Sequence, residues 1–270
     1  MTGETLFGLA AGAPPMDFGE GDQSCDLFLP KSNPRLGDRW PVIIAIHGGC
    51  WRARYDRLHL RPFCRALADQ GYAVWSIEYR RTDNGGEWPV IFEDVKGALS
   101  RLDEAAKNHP LDLSRVVVTG HSAGGHLALW LAAELGTRAT ALPGSNIIGL
   151  RGVLSLAGIT DLADTLACGV CSENIVKLLG GLPDEVPDRY SYASPIERLP
   201  LGVPQILVHG RQDYDVPLNH VNAYPEAAMR AGDIVRLKVI EDCGHFELVA
   251  PQSRAWPVIL ESFQELFEQK

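Results

Sequence analysis

Apolar residues follow two alternating patterns along this chain. Short runs rich in valine and isoleucine are separated by segments whose apolar residues recur with a helical period at 58–70, 90–108, 124–135, 218–231 and 251–268. Several runs are continuously apolar, which is typical of strands covered on both faces. The pattern predicts an α/β fold: a mostly parallel sheet with helices on both faces. The seven runs predicted as strands are CDLFLP, VIIAIHG, YAVWSIEY, RVVVTGH, GVLSLAG, PQILVHG and VRLKVIE.

One interval interrupts this alternation. Residues 159–204 form a long connection with only a weak helical signal, near 173–179. Long connections in compact domains often form lids or substrate-binding loops, although a plain surface excursion would give the same pattern. Because no linker, repeat or low-complexity tract is present, we expect one domain over 1–270 with 159–204 as a lid-like or substrate-selecting insertion.

Composition narrows the function classes. The chain has 270 residues and a formal net charge of -9, and it lacks the basic runs that nucleic-acid binding requires. It has no apolar stretch of the roughly 20 residues that span a bilayer and no signal-peptide pattern at its start. These features predict a soluble, cytoplasmic protein with no nucleic-acid or membrane partner.

The spacing of the cysteines and histidines along the chain does not indicate a metal site. The six cysteines are scattered, and a chain of this length does not need disulfides for stability, so we expect reduced thiols. The CGVC segment at Cys168 and Cys171 has metal or redox spacing, but no second pair accompanies it and we interpret it as incidental. No H-E-x-x-H pattern or comparable ligand cluster occurs.

The segment RVVVTGHSAGGHLALWL contains the strongest chemical signal. Its GHSAG pentapeptide, with Ser122 at the centre, fits G-x-S-x-G between a predicted strand and a predicted helix. Small residues allow the serine to occupy a strained strand-to-helix turn that exposes its hydroxyl. Ser122 is therefore the candidate nucleophile.

A serine nucleophile needs a base and an acid that orients this base. In folds whose serine occupies such a strand-to-helix turn, the serine, the acid and the histidine follow one another in that order along the chain. His245 follows the last predicted strand and is the candidate base, whereas His209 and His220 fit structural positions better. Asp213 and Asp215 both follow the strand before it; Asp213 is favoured from its position in the loop, and Asp215 stays the alternative.

Acyl transfer also needs donors for the developing oxyanion. The amide of Ala123 follows the nucleophile, and the HGGCW segment after an earlier strand offers the amides of Gly49 and Cys50, with Gly48 next in line. Gly48 and Trp51 are also candidate substrate contacts, although Trp51 fits a buried packing role equally well.

These segments together resemble the α/β-hydrolase superfamily, and within it the small esterases and arylformamidases related to the hormone-sensitive-lipase group. HGGCW, YRR, GHSAGGHLA, GITDL, SPIERL, HGRQDYDVP and GHFE appear in family order over nearly the whole chain. Cys50 stands where the lipase group has a third glycine, and H-G-G-x-W is the form of kynurenine formamidases. That resemblance implies hydrolysis of N-formylkynurenine, but esterases share the motif.

The expected function is hydrolysis of a small carboxylic ester or arylformamide through an acyl-enzyme, by the catalytic residues Ser122, Asp213 and His245 and without a metal or other cofactor. Two alternatives remain: a non-catalytic ligand receptor on the same fold, and a peptidase of the prolyl-oligopeptidase type. The last predicted helix could form a homodimer surface or face the core.

Overall fold

An eight-stranded sheet forms the centre of the protein, in the strand order β1-β2-β4-β3-β5-β6-β7-β8. The computed structural model describes residues 16–18, 23–31, 38–136 and 148–268. β1 and β2 pair antiparallel at one edge and β2 pairs antiparallel with β4, while all other neighbours are parallel. The strands are β1 Met16–Phe18, β2 Cys25–Phe28, β3 Trp40–Ile46, β4 Ala73–Ile77, β5 Leu111–His121, β6 Leu150–Leu156, β7 Gln205–Gly210 and β8 Val235–Ile240.

Eight α-helices are found in the described residues: α1 Arg61–Asp69, α2 Val90–Asn108, α3 Ala123–Gly136, α4 Leu162–Ala167, α5 Ser172–Leu179, α6 Pro187–Ala193, α7 Ala223–Ala231 and α8 Trp256–Glu268. The predicted α/β class and all seven predicted strands are confirmed. Only the three-residue β1 was not predicted, because so short a segment carries no periodic signal.

The continuous apolar strands are buried on both faces, as predicted. In β3, Ile44 packs into the core on the side of α2 and α3, whereas its neighbour Ile43 packs into the core on the side of α1 and α8. Alternate side chains of a strand point to opposite faces, so a strand covered by helices on both sides must be apolar at every position. The apolar face of α8 lies in this second core, through Ile259, Phe263 and Leu266.

Three predicted helices begin later than the periodicity suggested. The segment predicted as one helix from 58 starts with a 3-10 turn, Arg57–Leu60, and Pro62 then sits in the first turn of α1. The segment predicted from 218 likewise begins with the 3-10 turn Leu218–His220, and α8 starts at Trp256 rather than at 251. Tight 3-10 turns share the helical spacing of apolar residues over one turn, so periodicity cannot separate them.

The insertion at 159–204 is helical. It contains α4, α5, α6 and the 3-10 turn Pro195–Arg198, and its residues Ile175, Leu178 and Leu179 are buried in the main core. Asp161 begins α4 by accepting hydrogen bonds from the amides of Ala163 and Asp164. The weak periodicity of this segment reflects helices of only six to eight residues.

The carboxyl ends of the parallel strands meet at one edge of the sheet. The HGGCW loop leaves β3 there, Ser122 follows β5, the loop with Asp213 follows β7 and the loop with His245 follows β8. Open α/β sheets place ligands outside these strand ends. No helix of the described segments is long and apolar enough to span a bilayer.

Candidate functional site

Ser122 occupies a sharp turn between β5 and α3. Its φ is 56°, in the left-handed region, and its amide donates to the carbonyl of Leu156 on β6 (2.8 Å). A Cβ at Gly120 would lie 2.1 Å from the carbonyl oxygen of Gly124, and a Cβ at Gly124 would lie 2.2 Å from that of Ile46. Both glycines are therefore required by close backbone packing, and the turn has the strained geometry that the motif predicts.

His245 and Asp213 form a buried hydrogen-bonded pair. Nδ1 of His245 lies 2.7 Å from Oδ2 of Asp213, and the two residues are 7% and 4% exposed. The other carboxylate oxygen, Oδ1, accepts from the amides of Asp215 (3.0 Å) and Val216 (2.8 Å). Asp215 itself is exposed, so of the two aspartates considered from the sequence it is Asp213 that meets His245.

His121 connects the turn at Ser122 to the loop of His245. It directly precedes Ser122, its Nε2 donates to the carbonyl of His245 (3.0 Å), and the two imidazole rings lie 4.4 Å apart. Burial, reinforced by the nearby His245, lowers the pKa of His121 well below its ordinary value of 6.5. His121 therefore stays neutral and acts as a spacer between Ser122 and His245. Sequence reasoning did not assign it this contact.

The remaining late histidines hold structural positions. His209 is buried and donates through Nε2 to the carbonyl of Val216 (2.7 Å), in the same loop as Asp213. His220 is buried and its Nδ1 lies 3.0 Å from Oδ2 of Asp164. These contacts agree with the structural roles that the sequence favoured for both.

The HGGCW loop runs beside Ser122. A Cβ at Gly48 would lie 3.1 Å from Cβ of Ser122, which shows how closely the loop approaches the serine. The three residues that follow all have positive φ: 117° at Gly49, 49° at Cys50 and 54° at Trp51. Positive φ at successive residues is uncommon, and it bends the backbone of the loop away from an extended course. The bend includes Gly49 and Cys50, whose amides are predicted oxyanion donors.

Trp51 anchors the end of that turn inside the protein. Its side chain is fully buried and packs edge-on against His126 at a ring distance of 5.2 Å. Its carbonyl accepts from both the amide (2.9 Å) and the hydroxyl (3.0 Å) of Thr82. Of the two roles that the sequence left open for Trp51, its burial supports packing.

A buried polar network holds the start of the loop. Nε2 of His47 donates to Oε1 of Glu78 (2.7 Å), its ring stacks on Tyr79 at 4.3 Å, and Glu78 also binds the Arg81 guanidinium. Burial alone would raise the pKa of Glu78, but the hydrogen bond and charge of His47, the amide of Arg57 and the charge of Arg81 outweigh it and lower the pKa to about 2. The network therefore carries an ionised carboxylate beneath the loop.

The expectation that every cysteine is a reduced thiol is wrong. Cys50 and Cys171 form a disulfide with their Cα atoms 5.7 Å apart, across 121 residues of sequence. Chain length shows that a protein does not need a disulfide, but it cannot show whether two distant cysteines meet. The CGVC segment is not a paired unit, because Cys168 is free and exposed; the other free cysteines, Cys25, Cys64 and Cys243, are buried.

Aromatic side chains fill the space between the insertion and the main body. Tyr192 of α6 contacts Trp88, Phe92 and Trp130 at ring distances of 5.0, 5.7 and 5.7 Å. His126, on the first turn of α3, donates through Nε2 to the carbonyl of Ala193 in α6 (2.9 Å). The insertion is thus packed onto α2 and α3 beside the turn at Ser122.

Two groups of described side chains bring potential metal-ligand atoms within 4.8 Å of one another: Asp213, Asp215 and His245, and Asp164, Cys168 and His220. In the first group both oxygens of Asp213 already accept hydrogen bonds, and in the second His220 already pairs with Asp164. The absence of a cofactor remains a prediction.

Known proteins with similar sequences include hydrolases of two kinds. Esterase LipQ of Mycobacterium tuberculosis is 27% identical over 208 residues, which are 73% of this chain and 47% of LipQ. The uncharacterized peptidase YtmA of Bacillus subtilis is 26% identical over 57% of this chain and 57% of its own length. The chain thus spans about half the length of these curated relatives.

Solved structures share the architecture. Esterase B from Lactobacillus Rhamnosis superimposes with a TM-score of 0.77 over 95% of this chain and 85% of that chain, at 22% sequence identity. A likeness at this identity concerns the fold. The model of the BD-FAE family matches residues 25–227, which is well over half of the chain. Together with the sheet order, this match shows that the chain belongs to the BD-FAE family, an esterase family of the α/β-hydrolase fold.

Proposed function

We propose that this protein is a serine hydrolase that cleaves a small carboxylic ester or an arylformamide through an acyl-enzyme intermediate. The observation that carries the proposal is the meeting of four loops at one sheet edge. Ser122 lies in a strained turn, Gly48 packs against it, and His121 links it to His245, which is hydrogen-bonded to Asp213. This arrangement supports a mechanism of nucleophilic acyl transfer.

The hydrogen bond to Asp213 assigns the roles of the two imidazole nitrogens. Nδ1 of His245 carries the hydrogen that is donated to the carboxylate, so Nε2 is the nitrogen left to take the proton of Ser122. Ser122 Oγ then attacks the substrate carbonyl carbon. Asp213 stabilises the resulting imidazolium and keeps its ring oriented, while two backbone amides hold the carboxylate itself.

Breakdown of the tetrahedral intermediate needs the same groups. The negative charge on the carbonyl oxygen would be held by backbone amides, for which Gly49, Cys50 and Ala123 are the proposed donors. The leaving alcohol or arylamine takes a proton from Nε2 of His245, and water then attacks the acyl-enzyme with His245 as base. The first steps release the alcohol or amine; the last releases the acid.

The test compares kcat/KM for a short-chain aryl acetate, N-formylkynurenine and a peptide anilide. Ser122→Ala should reduce every activity that the wild type shows by about 10⁴-fold or more, since it removes the nucleophile. Ser114→Ala is the matched control, because Ser114 is an exposed serine on the same strand near its opposite end, and it should retain wild-type rates.

The ratio between substrates identifies the class. A preference for the acetate supports the esterase, a preference for the formamide supports an arylformamidase, and efficient anilide cleavage would support the peptidase alternative. A folded wild type that neither turns over these substrates nor reacts at Ser122 with a fluorophosphonate would contradict the proposal and favour a ligand receptor on the same fold.

A further inference from the structure

The Cys50–Cys171 disulfide joins two parts of the molecule that meet at the candidate site. Cys50 is the middle of the three residues with positive φ in the HGGCW loop, and its amide is a proposed oxyanion donor. Cys171 lies in the insertion, directly before α5, and also has a positive φ, of 49°. The covalent bond thus fixes the distance between this loop and the insertion.

Other contacts hold the segments on both sides of the disulfide. On the insertion side, the amide of Trp88 donates to the carbonyl of Leu178 in α5 (2.8 Å), and Ile175 and Leu178 are buried. On the loop side, Trp51 is buried, its carbonyl accepts from Thr82, and the amide of Arg52 donates to the carbonyl of Gly49 (3.0 Å). The disulfide adds a covalent restraint between the two segments at Cys50, which lies between Gly49 and Trp51.

We propose that this disulfide is a reversible redox latch that positions the oxyanion loop, with Cys171 as its positioning residue. The inference rests on the proposed function, because its consequence is control of the same site. In the oxidised form the loop is held with its amides beside Ser122. In the reduced form the left-handed backbone of Cys50 loses its covalent restraint and relaxes toward the more favourable conformations with negative φ, which displaces the neighbouring amides of the loop.

The chemistry of the switch is ordinary thiol–disulfide exchange. A dithiol reductant attacks one sulfur, the Cys50–Cys171 bond breaks, and the reductant leaves as its own disulfide after supplying two electrons and two protons to the protein. A glutathione disulfide reverses the change and leaves as two thiols. Both cysteines are partly exposed, so a small dithiol or a redox protein with two thiols can reach the bond.

The first experiment measures kcat and KM for an aryl acetate with oxidised protein, with protein reduced by a dithiol, and after reoxidation with glutathione disulfide. A thiol titration under denaturing conditions defines each state, with four thiols expected when oxidised and six when reduced. Reduction should lower kcat by about tenfold or more and change KM by less than about threefold, because oxyanion donors act on the transition state. Reoxidation should restore kcat.

Matched variants separate the disulfide from other effects of the reductant. Cys168→Ser removes the exposed free thiol three residues away, keeps the disulfide and should retain the redox response. Cys168→Ser/Cys171→Ser removes the latch without altering Cys50 or leaving a neighbouring thiol to replace it. Its kcat should equal that of the reduced wild type and should not respond to reductant. A reduced wild type with six thiols and unchanged kcat would overturn the proposal.

Hydrogen exchange distinguishes a failed latch from a failed function. Reduction should speed amide exchange in 49–55 while leaving the core strand β5 unchanged. If oxidised protein hydrolyses no substrate, the proposed esterase function fails, and the latch is then judged by exchange alone. Faster exchange in 49–55 on reduction supports it, and unchanged exchange there overturns it.

Discussion

At the scale of single residues, the candidate site contains non-glycine residues in left-handed backbone. Cys50, Trp51 and Ser122 all have φ near 50°. Each such residue costs on the order of 1 kcal/mol relative to ordinary backbone, so the surrounding contacts must maintain it. The amide of Ser122 bonded to Leu156 and the Trp51 carbonyl bonded to Thr82 supply those contacts. The positive φ of Ser122 was predictable from the G-x-S-x-G motif, whereas no sequence pattern predicted those of Cys50 and Trp51.

The two neighbouring aspartates give a sharp test at this scale. Asp213→Asn should lower kcat by about 10³ to 10⁴-fold, because an amide in place of the carboxylate no longer holds the Nδ1–H tautomer of His245 or stabilises its cation. Asp215→Asn makes the same chemical change two residues away on an exposed side chain and should alter kcat by less than about twofold. The measurement is kcat with an aryl acetate; equal losses in both variants would contradict the assignment.

Sequence alone separated these aspartates only by their distance from the strand end. The motif predicted Ser122 as the nucleophile and the order along the chain predicted His245 as the base, because local backbone and chain topology can both be inferred from the sequence. The Cys50–Cys171 pair was missed because its partners lie 121 residues apart and neither local pattern nor composition encodes their meeting. The contact of His121 with the His245 carbonyl was missed for the same reason.

At the scale of elements, steric exclusion as well as hydrogen bonding determines the conformation of the HGGCW loop. Gly49 has a φ of +117°, and a Cβ there would lie 2.4 Å from Cβ of Tyr55. The loop therefore has no room for a side chain at this position. Strand and helix positions followed from apolar periodicity, whereas this loop and the short helices of the insertion depend on tertiary contacts that periodicity does not contain.

Substitutions at two glycines, one in the HGGCW loop and one outside it, distinguish backbone strain at positive φ from a steric clash. Gly49→Ala should lower kcat by about 10²-fold, because the added methyl group displaces the proposed oxyanion amides. Gly85→Ala is the control: Gly85 has a similar positive φ, of +87°, but an added Cβ meets nothing within 4 Å. It should lose only about 1 kcal/mol of stability and keep its kcat. Circular dichroism and kcat on both variants check this, and a comparable kcat loss in Gly85→Ala would argue against the collision.

At the scale of the whole molecule, several buried histidines are held neutral. Burial lowers the pKa of His126 and of His59 to about 4, and lowers those of His121 and His209 below 6.5. The mostly parallel sheet could be predicted because its central strands are apolar at successive positions, whereas the short β1 could not. The burial of these polar rings could not, since a histidine looks the same in a sequence whether it is buried or exposed.

The lowered pKa values of these histidines predict that the folded protein becomes less stable as the pH falls. Above pH 6.5 neither state binds the proton. As the pH is lowered from 6.5 to about 4, His126 binds a proton in the unfolded chain but not in the folded protein. The free energy of unfolding therefore decreases by up to about 1.4 kcal/mol for each pH unit and each such group. Urea unfolding of the wild type and of His126→Gln at pH 5, 6, 7 and 8 checks this. The variant should show a shallower slope below 6.5 and the same slope above it; equal slopes throughout would refute the assignment.

The disulfide also divides the chain topologically. It closes a covalent ring from residue 50 to residue 171, which includes β4, β5, α3 and β6 and therefore Ser122, the proposed nucleophile. Asp213 and His245 lie outside this ring, on the carboxyl-terminal β7–β8 portion. If the molecule were pulled from its two ends, the extending force would bypass the ring, so the oxidised chain would be shorter when fully stretched. Stretching would therefore separate the proposed acid and base from Ser122 before the covalent ring itself could extend.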